Sequence, residues 1–164
     1  MISQQGLDLM IGVLEGGWVE TNDPRDPGGD TYAGVTKKAW QATGHSNWPP
    51  SREEVYAFAI QEYGTVANQL DEPLATMVLQ AAYNLGPKHA TQLLQVAAGV
   101  WPVDGYFGPK SAAAVKALDA KELTRIYAAV QRAHYVEHNG LNAWDSRGLY
   151  ERPGKLIAKG EHEK

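Results

Sequence analysis

Glu15 to Thr36 reads EGGWVETNDPRDPGGDTYAGVT, and the other segments are best understood by working outward from it. These twenty-two residues hold five glycines, two prolines, three threonines and, after Glu15, four further carboxylates. Just ahead of them, Leu7, Met10, Ile11 and Leu14 recur at i, i+3, i+4 and i+7, the spacing of an amphipathic helix. Gly16 and Gly17 stop that helix, so Glu15 falls in its last turn. The negative end of a helix disfavours a second negative charge. A carboxyl kept protonated in this way is what a general acid for glycoside cleavage requires. Beyond Glu15, Asp23-Pro24, Asp26-Pro27 and Gly28-Gly29 forbid helix and build a turn-rich, carboxylate-rich loop. Such a loop leaving a helix end can wall a cleft, or its Asp residues can simply cap turns at a solvated surface.

The order Glu15-Gly16-Gly17-Trp18, Asp23-Pro24, Asp26-Pro27-Gly28-Gly29, Thr31 and Gly34-Val35-Thr36 resembles the N-terminal signature of the glycoside hydrolase family 108 muramidases. These are lysozyme-like enzymes found largely as phage endolysins and related bacterial cell-wall lysins. Farther along, Leu93 to Ala114, LLQVAAGVWPVDGYFGPKSAAA, resembles the start of the peptidoglycan-binding segment that accompanies this domain. The resemblance implies a mainly α, lysozyme-like helical domain with a small hairpin and loop at the active site. It further implies residues 1–92 as the catalytic part and residues 93–164 as a peptidoglycan-binding segment packed on it, together one globule.

The same resemblance implies roles for individual residues. Glu15 is the acid. Muramidases of this kind follow the glutamate with an acidic residue and then a threonine, and the nearest fit is Asp26 with Thr31; Asp30 with Thr36 is a competing register. Asp30 and Tyr32 then become substrate contacts. Tyr83-Asn84-Leu85-Gly86 resembles a cleft-lining helix end, with Asn84 as a substrate hydrogen-bonder. The family usually carries an aspartate four residues before that asparagine, where this chain has Gln80, so no catalytic role is expected at 80.

Composition sets outer limits. A chain of 164 residues with 43% hydrophobic and 21% charged residues suits one ordinary globular domain, or one with a small appended lobe, and can bury a substantial core. Net charge of −4 offers no basic surface for nucleic acid. There is no cysteine, hence no disulfide and no thiolate metal site. The opening MISQQGLDLMIGVLEGG lacks a basic start and an unbroken apolar core, so it does not read as an export signal. No run of about eighteen apolar residues provides a membrane span. The resemblance therefore implies synthesis in a host cytoplasm, passage by a holin pore or dedicated secretion system, and action on peptidoglycan in the periplasm or wall. A monomer without cofactor is expected.

Punctuation places the remaining elements. Tyr32 to Val35 reads as a short extended segment, and Thr36 caps a helix through Trp40 that ends by Gly44. Ser51 to Glu54 is a capping box opening a helix with Val55, Phe58, Ala59 and Tyr63 on one face. Pro73 sits in the first turn of a strongly apolar, central helix whose buried face holds Leu74, Met77, Val78, Ala81 and Leu85. A further helix spans Lys88 to Ala98, and Val100 to Pro109 is a loop. Ser111 is read as the cap of Ala112 to Leu118, and a long helix runs from Lys121 to about His138 with Leu123, Ile126, Tyr127 and Val130 inward.

Other chemistries are weaker. His134-Tyr135-Val136-Glu137-His138 matches H-x-x-E-H, and two histidines four apart share a helix face. A third ligand is not apparent, so no metal is expected. Exposed aromatic rings suit sugar faces; Trp101, Tyr106 and Phe107, and Trp144 with Arg147, sit in loops, and Tyr106, Trp144 and Arg147 are taken as substrate contacts. Arginines such as Arg132, Arg147 and Arg152 could pair with stem-peptide carboxylates. The leading reading is an N-acetylmuramidase; a lytic transglycosylase or a non-catalytic wall-binding protein are the alternatives.

Overall fold

The computed structural model describes residues 1–22 and 28–139, with only the backbone of 138 and 139. It is mainly helical with one small sheet. Helix α1 (Gln4–Leu9) continues as a π-helical turn (Met10–Leu14); strands β1 (Glu20–Thr21), β2 (Thr31–Tyr32) and β3 (Val35–Thr36) come next. Then come α2 (Lys37–Ala42), α3 (Arg52–Tyr63), a 3-10 turn (Ala67–Gln69), α4 (Leu74–Leu85), α5 (Pro87–Ala97), α6 (Pro109–Ala117) and α7 (Ala120–Asn139).

Helix α4 is the axis of the fold. Every residue from Leu74 to Ala82 is buried, and α3, α5 and α7 pack around it. A helix apolar on all sides must lie inside, because each large apolar side chain taken from water contributes roughly 1.5–3 kcal/mol. Its start is tied to the N-terminus of the chain. The Glu72 carboxylate accepts from the Ser3 amide at 2.7 Å and the Thr76 amide at 3.1 Å, while the Ser3 hydroxyl caps α1 at Gly6. Gly6 has no room for more: a Cβ there would lie 2.0 Å from the Thr76 hydroxyl.

Local signals in the sequence explain the flanking elements. Thr36 caps α2 by accepting from the Ala39 amide, and Ser51 and Glu54 form a complete capping box on α3. Gly86, at φ +87°, closes α4, and Pro87 opens α5 where its missing N–H is no loss. Three expectations need correction. The run before Glu15 is not a plain α-helix, since its last turn has π spacing. Ser111 does not cap α6 but sits buried inside its first turn, with Gly108 at the cap. On α7 Ile126 is exposed, while Leu123, Tyr127, Ala128, Gln131 and Tyr135 are buried.

The sheet is antiparallel in the order β1-β2-β3, with Thr21 opposite Thr31 and Thr31 opposite Thr36. Ala33 and Gly34 alone join β2 to β3, with φ of +51° and +82°. Two positive φ values in a two-residue loop fit a type I′ turn, whose twist matches the strands. Alanine holds the strained first position because it is buried and anchored on both sides. Its amide donates to the Val19 carbonyl at 3.3 Å, and its carbonyl accepts from the Tyr83 hydroxyl at 3.1 Å.

Candidate active site

Glu15 stands where the π turn ends. Its amide donates to the Met10 carbonyl at 2.9 Å, five residues back, and Gly17 reaches the Ile11 carbonyl at 3.1 Å. A π turn inserts one residue into the helical register and so rotates the residues after it, and such turns recur at functional sites. Gly16 and Gly17 then adopt φ of +85° and +84°, angles that side chains avoid, and the chain swings away toward β1.

The Glu15 carboxylate meets the end of α4. Asn84 Nδ2 donates to Glu15 Oε1 at 2.8 Å and to the Gln80 carbonyl at 3.0 Å. Glu15 is half-buried and Asn84 exposed, so the pair lies at the surface of the core. The neighbouring Tyr83 is half-buried with its hydroxyl on the Ala33 turn. Burial, and secondarily the charge of Glu15, raises the Tyr83 phenol far above its ordinary range, so it remains a donor. Two consecutive residues of α4 thus hold the glutamate and the hairpin.

The remaining sequence-predicted residues fall in three groups. Thr31 and Tyr32 lie on β2, partly exposed; the Thr31 hydroxyl donates to the Gly29 carbonyl at 3.1 Å, and the Tyr32 ring lies 6.3 Å from Trp18. Asp30 is paired with Lys37 at 3.3 Å, and its carbonyl accepts from the Lys37 amide. Thr36 is engaged in capping α2. Tyr106 belongs to another cluster, exposed in the loop between α5 and α6. Asp26, Trp144 and Arg147 lie outside the described residues, as does Arg152.

Several organising contacts were not anticipated in the sequence. Trp18 packs edge-on against Tyr56 at 5.4 Å, and the Arg52 guanidinium lies 4.8 Å above its ring. Trp48 donates to the Glu20 carboxylate at 2.8 Å beside Lys37. In the Val100 to Pro109 loop the organiser is buried Gln95. Its amide nitrogen donates to the Asp104 carboxylate, the Tyr106 carbonyl and the Ser111 hydroxyl, and its oxygen accepts from the Gly105 amide. The motif that resembles a wall-binding segment is thereby folded from below, with Trp101 and Tyr106 left outside. A Gln inside an apolar helical face was the available signal, at 80 and 95 alike.

Among the described residues no three His, Asp or Glu side chains gather as a metal site, and no helix is long and apolar enough to cross a membrane. The His134 ring lies 6.4 Å from that of His89. A shallow hollow between α2 and α3, lined by Trp40, Glu54 and Phe58 among others, contains none of the site residues; His45 at its edge stacks on Trp40 at 3.9 Å.

The result is a mainly helical, lysozyme-like domain in which a glutamate at the end of the first helical segment meets the end of the central helix. Residues 10–86 match the family model Glycosyl hydrolase 108, a span that takes in Glu15, the sheet, Gln80, Tyr83 and Asn84. The chain is also similar in fold to a solved structure, that of Brucella abortus SagA. That match has a TM-score of 0.77 and 22% identity, covering 96% of this chain and 94% of the other. No curated protein matches.

Proposed function

We propose that this protein is an N-acetylmuramidase that hydrolyses the β-1,4 bond from N-acetylmuramic acid to N-acetylglucosamine in peptidoglycan. The observation that carries the reading is the placement of Glu15 at the end of the π turn, held by Asn84 at the end of the central helix. Glu15 donates its proton to the leaving glycosidic oxygen. Asp26, with Thr31, stabilises the oxocarbenium-like state or positions water. The engagement of Asp30 by Lys37 and of Thr36 by the α2 cap favours Asp26 with Thr31 over the competing register. Asp30 and Tyr32 border the glycan beside the hairpin. Tyr106, Trp144 and Arg147 contact the wall from residues 93–164, the peptidoglycan-binding segment of this reading. The enzyme acts as a monomer without cofactor, released to the wall through a holin or a secretion system in a phage-type lysis.

Mass spectrometry of digested peptidoglycan tests this directly. Reducing muramic-acid ends are expected. Anhydro ends would mean a lytic transglycosylase, freed stem peptides a peptidase or amidase, and an absence of products a binding protein.

A further inference from the structure

We infer that Asn84 is a positioning residue for Glu15, aiming its carboxyl so that the reactive proton sits on Oε2, and that its own aim is set by a buried Gln80–Gln131 pair joining α4 to α7. The inference rests on the muramidase reading only for the reaction that is measured. The orientation of the Asn84 amide is unambiguous, since only its nitrogen can donate to a carboxylate and to a carbonyl. Both of its hydrogens therefore have partners: Glu15 Oε1 at 2.8 Å and the Gln80 carbonyl at 3.0 Å. An oxygen that accepts such a bond is the carbonyl-like one of a carboxylic acid, which leaves the proton to Oε2. General-acid catalysis depends on this aim, because reach to the accepting oxygen is set by geometry before proton affinity matters.

Beneath Asn84 the contacts continue into the core. Gln80 and Gln131 are both fully buried. Gln131 Nε2 donates to Gln80 Oε1 at 2.8 Å and to the Tyr135 hydroxyl at 3.2 Å. The pair is a poor way to gain stability. Gln80 Nε2 and Gln131 Oε1 find no partner among the described residues, and each buried polar atom left without a bond is destabilising. Two apolar side chains of similar volume would be as stable or more so. What the amides supply instead is a directional bond that fixes the rotation and height of α4 on α7, and with it the aim of residue 84. Gln131 lies outside residues 10–86, so the site depends on the second half of the chain.

The test uses the full chain and soluble, uncross-linked glycan strands, with reducing ends counted. Asn84→Ala should lower kcat about 10- to 100-fold with KM within twofold. Asn84→Asp should recover part of that loss as pH falls through the carboxylate range, because a protonated Asp donates the same bond and alanine does not. Gln80→Leu combined with Gln131→Leu should fold at least as stably as the parent yet lose several-fold in kcat. A raised KM with kcat intact at Asn84→Ala would make Asn84 a sugar contact and overturn the inference. Full turnover in the double variant would remove α7 from the arrangement. A second readout needs no substrate: the ¹³C chemical shift of the Glu15 side-chain carboxyl should change in Asn84→Ala, because the Asn84 hydrogen bond is lost. An unchanged chemical shift defeats the positioning role alone, whereas a changed one in a protein whose parent releases no reducing ends defeats the muramidase reading alone.

Discussion

The Tyr83 hydroxyl donates to the Ala33 carbonyl at 3.1 Å, and so the last turn of the central helix carries the hairpin on one residue and Glu15 on the next. The strained φ of Ala33 survives because this bond and the Val19 contact over-determine it. Hairpin and glutamate therefore share one rigid reference, the buried length of α4.

That dependence makes Gly34 a sensitive position. A Cβ there would approach Tyr83 Cε1 at 2.8 Å, on a backbone already at φ +82°. Gly34→Ala should destabilise the protein by about 1–3 kcal/mol, measured by urea unfolding. Tyr83→Phe keeps the ring and loses only the bond to Ala33, and should cost about 1 kcal/mol. A Gly34→Ala variant as stable as the parent would mean that the turn moves freely against α4.

Alkaline stability should report on Tyr56. Burial and its hydrogen bond to Asp8 push this phenol up to about 12, from an ordinary 10.0. A group raised on folding contributes stability that is complete below its unfolded value and lost as pH rises through the folded one. Stability should therefore fall between pH 10 and about 12, and Tyr56→Phe should flatten part of that slope. An identical slope in the variant would assign the loss to other tyrosines.

Gln95 is the position where the aromatic loop can be loosened without touching Glu15. Gln95→Leu removes the partners of Asp104, Gly105, Tyr106 and Ser111 together, and should cost about 2–4 kcal/mol. The Gln95 bond, with the Tyr106 amide, also holds the Asp104 carboxyl below its usual range. A depressed acid adds stability above its unfolded value that disappears as pH falls through the folded one, and the variant should lose the part of that acid-side dependence that the Gln95 bond supplies. Pull-down on insoluble peptidoglycan should weaken while turnover on soluble strands persists. Undiminished retention by the wall in a folded variant would detach this loop from wall binding.

Much of this was legible because it is local. The caps at Thr36 and Ser51, the stop at Gly16-Gly17 and the apolar run of α4 act over a few residues and leave direct marks. Glu15 and Asn84 were each picked out from separate stretches. Their contact was not, because it joins residues 69 apart in the chain. The partners of Gln80, Gln95 and Gln131 were unreadable for the same reason: a polar residue on an apolar face announces a buried partner without naming it. The π turn escaped because its apolar spacing over Leu7 to Leu14 is also that of an α-helix.

The acid itself provides the most decisive substitution. Glu15→Gln preserves shape but has no acid proton to give, so wall hydrolysis should fall at least about a hundredfold. Peptidoglycan binding should survive. The fold should hold or gain slightly, because a neutral amide replaces a carboxylate at the negative end of a helix. Asp26→Asn should lower turnover strongly if the residue stabilises positive charge, and less if it only places water. Asp30→Asn should do little to turnover, since Asp30 is bound to Lys37. Comparing the three as purified, folded proteins separates the registers: a severe defect at Asp30 with none at Asp26 would move the second carboxylate to Asp30 with Thr36. A folded Glu15→Gln variant with parental muramidase turnover would end the mechanism, because Glu15 is the proton donor on which it rests.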